Sequence, residues 1–124
     1  MDTYLQALEV IFTRCAMACE NVVFMTPNML NTYVADDLPK EHLDYAKITS
    51  EYQNSGRMDA FMDAARALAT RCRVTVCDAY AQWKKLAEEG KDTTMLLCNR
   101  LNHPTQEMHQ LFADMLYNLI MHNE

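Results

Sequence analysis

Glycine is scarce in this chain. Only Gly56 and Gly90 occur among 124 residues, where average usage near 7% would give about nine. Phosphate-cradling loops, dinucleotide fingerprints and nucleophile elbows all need glycines to bring backbone close to a ligand or to turn sharply. None can be built here, which excludes most nucleotide enzymes and a self-contained hydrolase of the elbow type. Basic charge is also short: the net charge is -6, which argues against nucleic acid and anionic membrane as main partners. No apolar run approaches the roughly 18 residues of a membrane span. The start, Met1-Asp2-Thr3-Tyr4, lacks the basic-then-apolar pattern of a secretory leader. The five cysteines, Cys15, Cys19, Cys72, Cys77 and Cys98, are odd in number and not spaced as zinc pairs. They read as small buried thiols in a reducing, cytoplasmic compartment, with a metal or redox role as the alternative. No cofactor and no metal site is expected.

What the chain does contain is an alternation of helix and strand signals within one domain, residues 1–124. Leu5, Leu8, Ile11, Phe12, Cys15 and Cys19 recur at steps of three and four, which predicts an amphipathic helix over Thr3–Cys19, capped by Asp2 or Thr3. Val22–Met25 is a short apolar run closed by Thr26-Pro27-Asn28, as expected of a buried strand and its turn. A polar stretch from Asn31 to Gly56 reads as a loop with one short helix, Lys40–Tyr52. Met58, Phe61, Ala65, Leu68 and Cys72 predict a helix over Arg57–Arg71. Val74–Cys77 is a second strand, ended by Asp78. Tyr80, Trp83 and Leu86 line a helix over Ala79–Glu89, with Gly90 suited to its C-terminal cap. Thr93–Cys98 carries no clear period. A last apolar stripe predicts a helix over Thr105–His122. The alternation implies an α/β fold with parallel strands. Two strands are few for a parallel sheet, which is normally covered on both faces.

The segment Asn99-Arg100-Leu101-Asn102-His103-Pro104 sets a histidine just before a proline and a helix. Proline is favoured at a first helical position, which would hold His103 on the lip of that helix. This block, followed by His109 and Phe112-Ala113, resembles the catalytic-histidine block of SGNH (GDSL-like) ester hydrolases. Val22–Pro27 resembles the strand of that family that ends in a Thr-Pro turn, and Val74–Tyr80 the strand that ends in Asp. The resemblance spans most of the chain and rests on the order and spacing of the three blocks. It implies a partial flavodoxin-like layered fold and the C-terminal segment of an acyl or acetyl esterase. It also implies His103 as the general base, for which an imidazole is suited by its near-neutral pKa.

The family's aspartate, three or four residues before the histidine, is replaced by Arg100 and Asn99. That leaves Asn99 to fix the tautomer by hydrogen bonding and Asp78 or Asp92 to supply the charge. Nothing resembles the family's serine segment, glycine or oxyanion asparagine. Ser50 and Ser55 lie in the polar stretch and follow no strand. The expectation is a chain inactive alone, completed by a missing N-terminal half or a second copy of itself, with a small ester as the parent enzyme's substrate. The alternative is a non-catalytic α/β module that self-associates or binds a partner through an exposed strand edge. The plain reading of His103 is a surface histidine beside a helix start, and of His109 helix-face packing. The methionines, Tyr80 and Trp83 read as core, and Asp36-Asp37 as a solvated loop.

Overall fold

The computed structural model describes residues 1–122. Its elements are α1 (Asp2–Ala18), β1 (Val23–Met25), α2 (Leu43–Asn54), α3 (Arg57–Arg71), β2 (Thr75–Cys77), α4 (Ala79–Glu88) and α5 (Gln106–Met121). A single 3-10 turn, Lys40–His42, leads into α2, so the expected helix starts later and runs on to Asn54. The two strands pair in parallel, Val23 with Thr75, Phe24 with Val76 and Met25 with Cys77. The fold is therefore α/β, as the alternation implied.

Successive strand side chains point to opposite faces. Phe24 and Val76 meet α1 and α3 in a cluster centred on Leu8, Phe12, Ala65 and Leu68. On the other face Val23 and Thr75 line a groove together with Leu119 and Ile120 of α5. A second cluster joins Met29, Met62, Tyr80, Trp83, Leu97 and Met108, so the expectation that Tyr80 and Trp83 seat α4 holds. Leu38, Ala46 and Leu101 form a third, smaller one. It fastens the long connection between the strands to the segment before α5.

Several local expectations need correction. Helix α1 has Met1 at its N-cap with no side-chain cap bond. Pro104 is not the first residue of α5. It pairs with Leu97 in an isolated antiparallel bridge, and Thr105 is the cap, accepting from the Met108 N–H. Cys15, Cys19 and Cys98 are exposed, and of the five thiols only Cys77 is buried. The stripe of α1 is amphipathic along its whole length, but the core ends at Phe12. Met17 is 84% exposed, so the methionines are not all core. At the end of α4, Gly90 takes φ +84°, and the Lys91 N–H reaches back to the Leu86 carbonyl. That is the left-handed helix stop its position suggested.

Tyr80 is fully buried. Its hydroxyl accepts from Gln53 Nε2 (2.7 Å) and donates to Asp59 Oδ1 (3.2 Å). Burial pushes its pKa up to about 12, against the pull of the Gln53 bond, with Asp59 adding to the rise. Its neutral form is favoured in the folded chain, so stability present below pH 10, the ordinary tyrosine value, is lost as pH rises through 12. We expect the melting temperature to fall across that window and Tyr80→Phe to show a smaller alkaline loss. Near neutral pH the same substitution should cost about 1–3 kcal/mol, because Gln53 Nε2 loses its acceptor. Urea unfolding checks the second value, and an unchanged midpoint would refute it.

Candidate functional site

In open α/β sheets, ligand sites lie beyond the carboxyl ends of the strands. Here Thr26 follows β1 and Asp78 follows β2, and they are joined directly. Thr26 Oγ1 donates to Asp78 Oδ1 (2.9 Å) and accepts from the Tyr80 N–H (2.9 Å). Asp78 also caps α4 by accepting from the Ala81 N–H. From α3, Arg66 donates to both its oxygens, Nε to Oδ2 (2.6 Å) and Nη2 to Oδ1 (3.0 Å). This bidentate pairing is the strong form of a carboxylate–guanidinium contact. Burial pushes the Asp78 carboxyl up, but the bonds from Arg66, Ala81 and Thr26, with the Arg66 charge, outweigh it and hold the group below the ordinary aspartate value. Asp78 is thus a structural carboxylate at this end of the sheet.

The His103 loop reaches the same end. Asn28, just past Thr26, donates from Nδ2 to the Asn102 carbonyl (3.0 Å) and to the Met29 carbonyl (2.7 Å). The Asn31 N–H donates to the Leu101 carbonyl (2.9 Å). Asn31 is itself fully buried, its amide donating to Tyr33 and Ala46 and accepting from Thr49. Within the loop, Asn99 Oδ1 accepts from the N–H groups of Leu101 (3.1 Å), Asn102 (3.0 Å) and His103 (2.9 Å). Its Nδ2 donates to Asn102 Oδ1 (2.9 Å). Arg100 takes the left-handed region, φ +58°, uncommon for a side chain of that size. Its guanidinium is held by Asp37 (3.0 Å) and by the Leu97 carbonyl (2.8 Å). Asp37 is therefore exposed but engaged.

The imidazole of His103 is exposed and carries no hydrogen bond among the described residues. Asn99 thus shapes the loop backbone and is not bonded to the ring. Asp78 is engaged by Arg66, Thr26 and Ala81. Asp92 accepts from Tyr33 and from the N–H groups of Thr94 and Met95. No carboxylate is hydrogen-bonded to His103 among the described residues. His109 packs edge-on against Phe112 and its Nδ1 meets the Thr105 carbonyl (3.0 Å). Ser50 and Ser55 hydrogen-bond to carbonyls of their own helix, Lys47 and Tyr52.

Sequence reasoning missed Asn28, Asn31 and Arg66. The asparagines carried a weak signal, since Asn in a polar connection often binds nearby backbone. Arg66 carried none, because a helical arginine reads as a solvated face. No group of three or more candidate metal ligands occurs among the described residues. No described helix is long and apolar enough to cross a membrane. In comparison with known proteins, no family model, no curated protein and no solved structure matches the chain.

The loop geometry sets a clear expectation. Asn99→Ala removes one acceptor shared by three N–H groups and should destabilise the fold by about 1–3 kcal/mol. Amide exchange at Leu101, Asn102 and His103 should rise with it. Unchanged protection at those amides would show that the loop is held without Asn99.

Proposed function

We propose that this chain is the C-terminal portion of an SGNH-type ester hydrolase, in which His103 is the general base, and that it has no turnover by itself. The observation that supports this reading most is the loop 99–103. It holds a left-handed Arg100, and four side chains, Asn28, Asn99, Asp37 and Arg100, hydrogen-bond to fix it, while the imidazole is left free. A conformation costing of order 1–3 kcal/mol persists only where its surroundings over-determine it, and such sites cluster where function needs them. The flavodoxin-like layering belongs to the same proposal, with β1 as an interior strand. In the complete enzyme the imidazole would take the proton of a serine supplied by the N-terminal half. That half would also supply the oxyanion donors, and the substrate would be a small acyl or acetyl ester.

A base without its nucleophile has nothing to activate. With p-nitrophenyl acetate, neither the isolated chain nor its His103→Ala variant should show sustained catalytic turnover above background. Sustained turnover lost in His103→Ala would overturn the inactivity. The family assignment is tested by the coding sequence upstream of Met1. An in-frame strand followed by a Gly-Asp-Ser-like turn supports it, and a nearby stop codon counts against it.

A second reading, a non-catalytic module that pairs through its strand edge, has its own support. The Thr75 N–H bonds the Val22 carbonyl and the Thr26 N–H the Cys77 carbonyl. By the alternation of a parallel ladder, the N–H and C=O groups of Val23 and Met25 then face away from β2. They have no backbone partner among the described residues. Val23 and Ile120 nearby are exposed. Such an edge is a template for another strand. Light scattering with size exclusion at low micromolar concentration should show a dimer or larger species, and a clean monomer would rule out this edge as a self-pairing site.

A further inference from the structure

The isolated bridge before α5 has a consequence beyond positioning His103. Leu97 pairs with Pro104, flanked by the Cys98 N–H on the His103 carbonyl (2.8 Å) and the Thr105 N–H on the Leu96 carbonyl (2.9 Å). In this antiparallel register Cys98 stands directly opposite His103. Directly opposed residues project to the same face, with Cβ atoms about 4.5–5.5 Å apart. The alternation agrees with burial: Leu97 is fully buried, whereas Cys98 and His103 are both exposed. The other charged groups on the segments that meet here are Arg100 with its partner Asp37, Asp92 held by Tyr33, and Glu107 and His109 in the first turns of α5.

We propose that Cys98 and His103 form a thiol–imidazole pair that makes Cys98 the reactive cysteine of this chain, a site for small acyl electrophiles. Thiolate is the nucleophilic form of cysteine, and an adjacent imidazole is a common means of generating it. In the acylation step the thiol proton passes to the imidazole, and sulfur attacks the acyl carbonyl carbon. The C–S bond forms, the C–O bond to the alcohol breaks, and the imidazolium returns the proton to the departing oxygen. The product is an S-acyl cysteine and a free alcohol. This pairing uses only residues within one hairpin and stands whether or not a serine is supplied from elsewhere.

The chain carries its own controls. Cys15 and Cys19 are equally free and exposed, and neither faces a histidine across a hairpin. Iodoacetamide alkylation of each thiol, followed by peptide mass mapping between pH 5.5 and 9, reads their reactivity separately. A tenfold gain in thiolate at Cys98 should raise its alkylation rate about threefold. The tenfold gain in thiolate is partly offset by weaker intrinsic nucleophilicity. Cys98 should therefore react at least about threefold faster than Cys15 and Cys19 at pH 6.5, and His103→Ala should erase the difference. One equivalent of p-nitrophenyl acetate should acetylate Cys98 first. Equal rates at the three thiols, or a fast Cys98 unaffected by His103→Ala, would overturn the pair. His103→Gln serves as a second variant, since the ring makes no hydrogen bond among the described residues. These readouts need no catalytic turnover, so they fail or succeed independently of the esterase reading.

Discussion

The Asp78 carboxylate is the point on which the architecture converges. The sheet is only two strands wide, and three residue pairs cannot by themselves hold five helices in place. Asp78 links strand to strand through Thr26, caps α4 through Ala81, and receives α3 through Arg66. Thr26 in turn accepts from the Tyr80 N–H, so the start of α4 is fixed to both strand ends. The pairing is partly buried, where removing one partner costs more than the pair contributes, because a charge is left unmatched. The same bonds that organise this end of the sheet hold the pKa of Asp78 below the ordinary aspartate value and engage both its oxygens. A carboxylate used in this way orders the strand ends, and it is not hydrogen-bonded to the His103 imidazole.

The second constraint is the asparagine framework around His103. Asn28, Asn31 and Asn99 each hydrogen-bond to backbone groups, and Asn31 and Asn99 also bond the side chains of Thr49 and Asn102. Together they hold a loop that includes a left-handed arginine. Asparagine is suited to this because its short amide both donates and accepts, and so can imitate the backbone groups it replaces. The result is an imidazole on a firmly held support, with the Cys98 thiol across the hairpin from it.

Around this frame the apolar surface is incompletely covered. Helix α1 carries its stripe past Phe12 to Cys15 and on to Cys19 at its C-cap, yet among the described residues its last turns stay exposed. The outward groups of Val23 and Met25 are unpaired among the described residues. Both features follow from a narrow sheet: a helix of 17 residues spans farther than a strand of three can support from below.

Periodicity alone determined the element order, both strands, and the helix over Arg57–Arg71, because apolar spacing is written locally. The stop at Gly90 was legible for the same reason: only a residue without Cβ takes that backbone at no cost. The sequence also singled out His103, set before a proline and a helix, and Asp78, at the end of an apolar strand segment. Burial of the thiols was misjudged, since a stripe shows which face is apolar but not whether another element reaches it. The place of Pro104 turned on a contact with Leu97 that no local preference encodes. The roles of Arg66, Asn28 and Asn99 were decided by tertiary structure alone. Hydrogen-bond partners separated by 12 residues in one case and 74 in another leave no periodic trace in the chain, and only folding brings their donors and acceptors within reach.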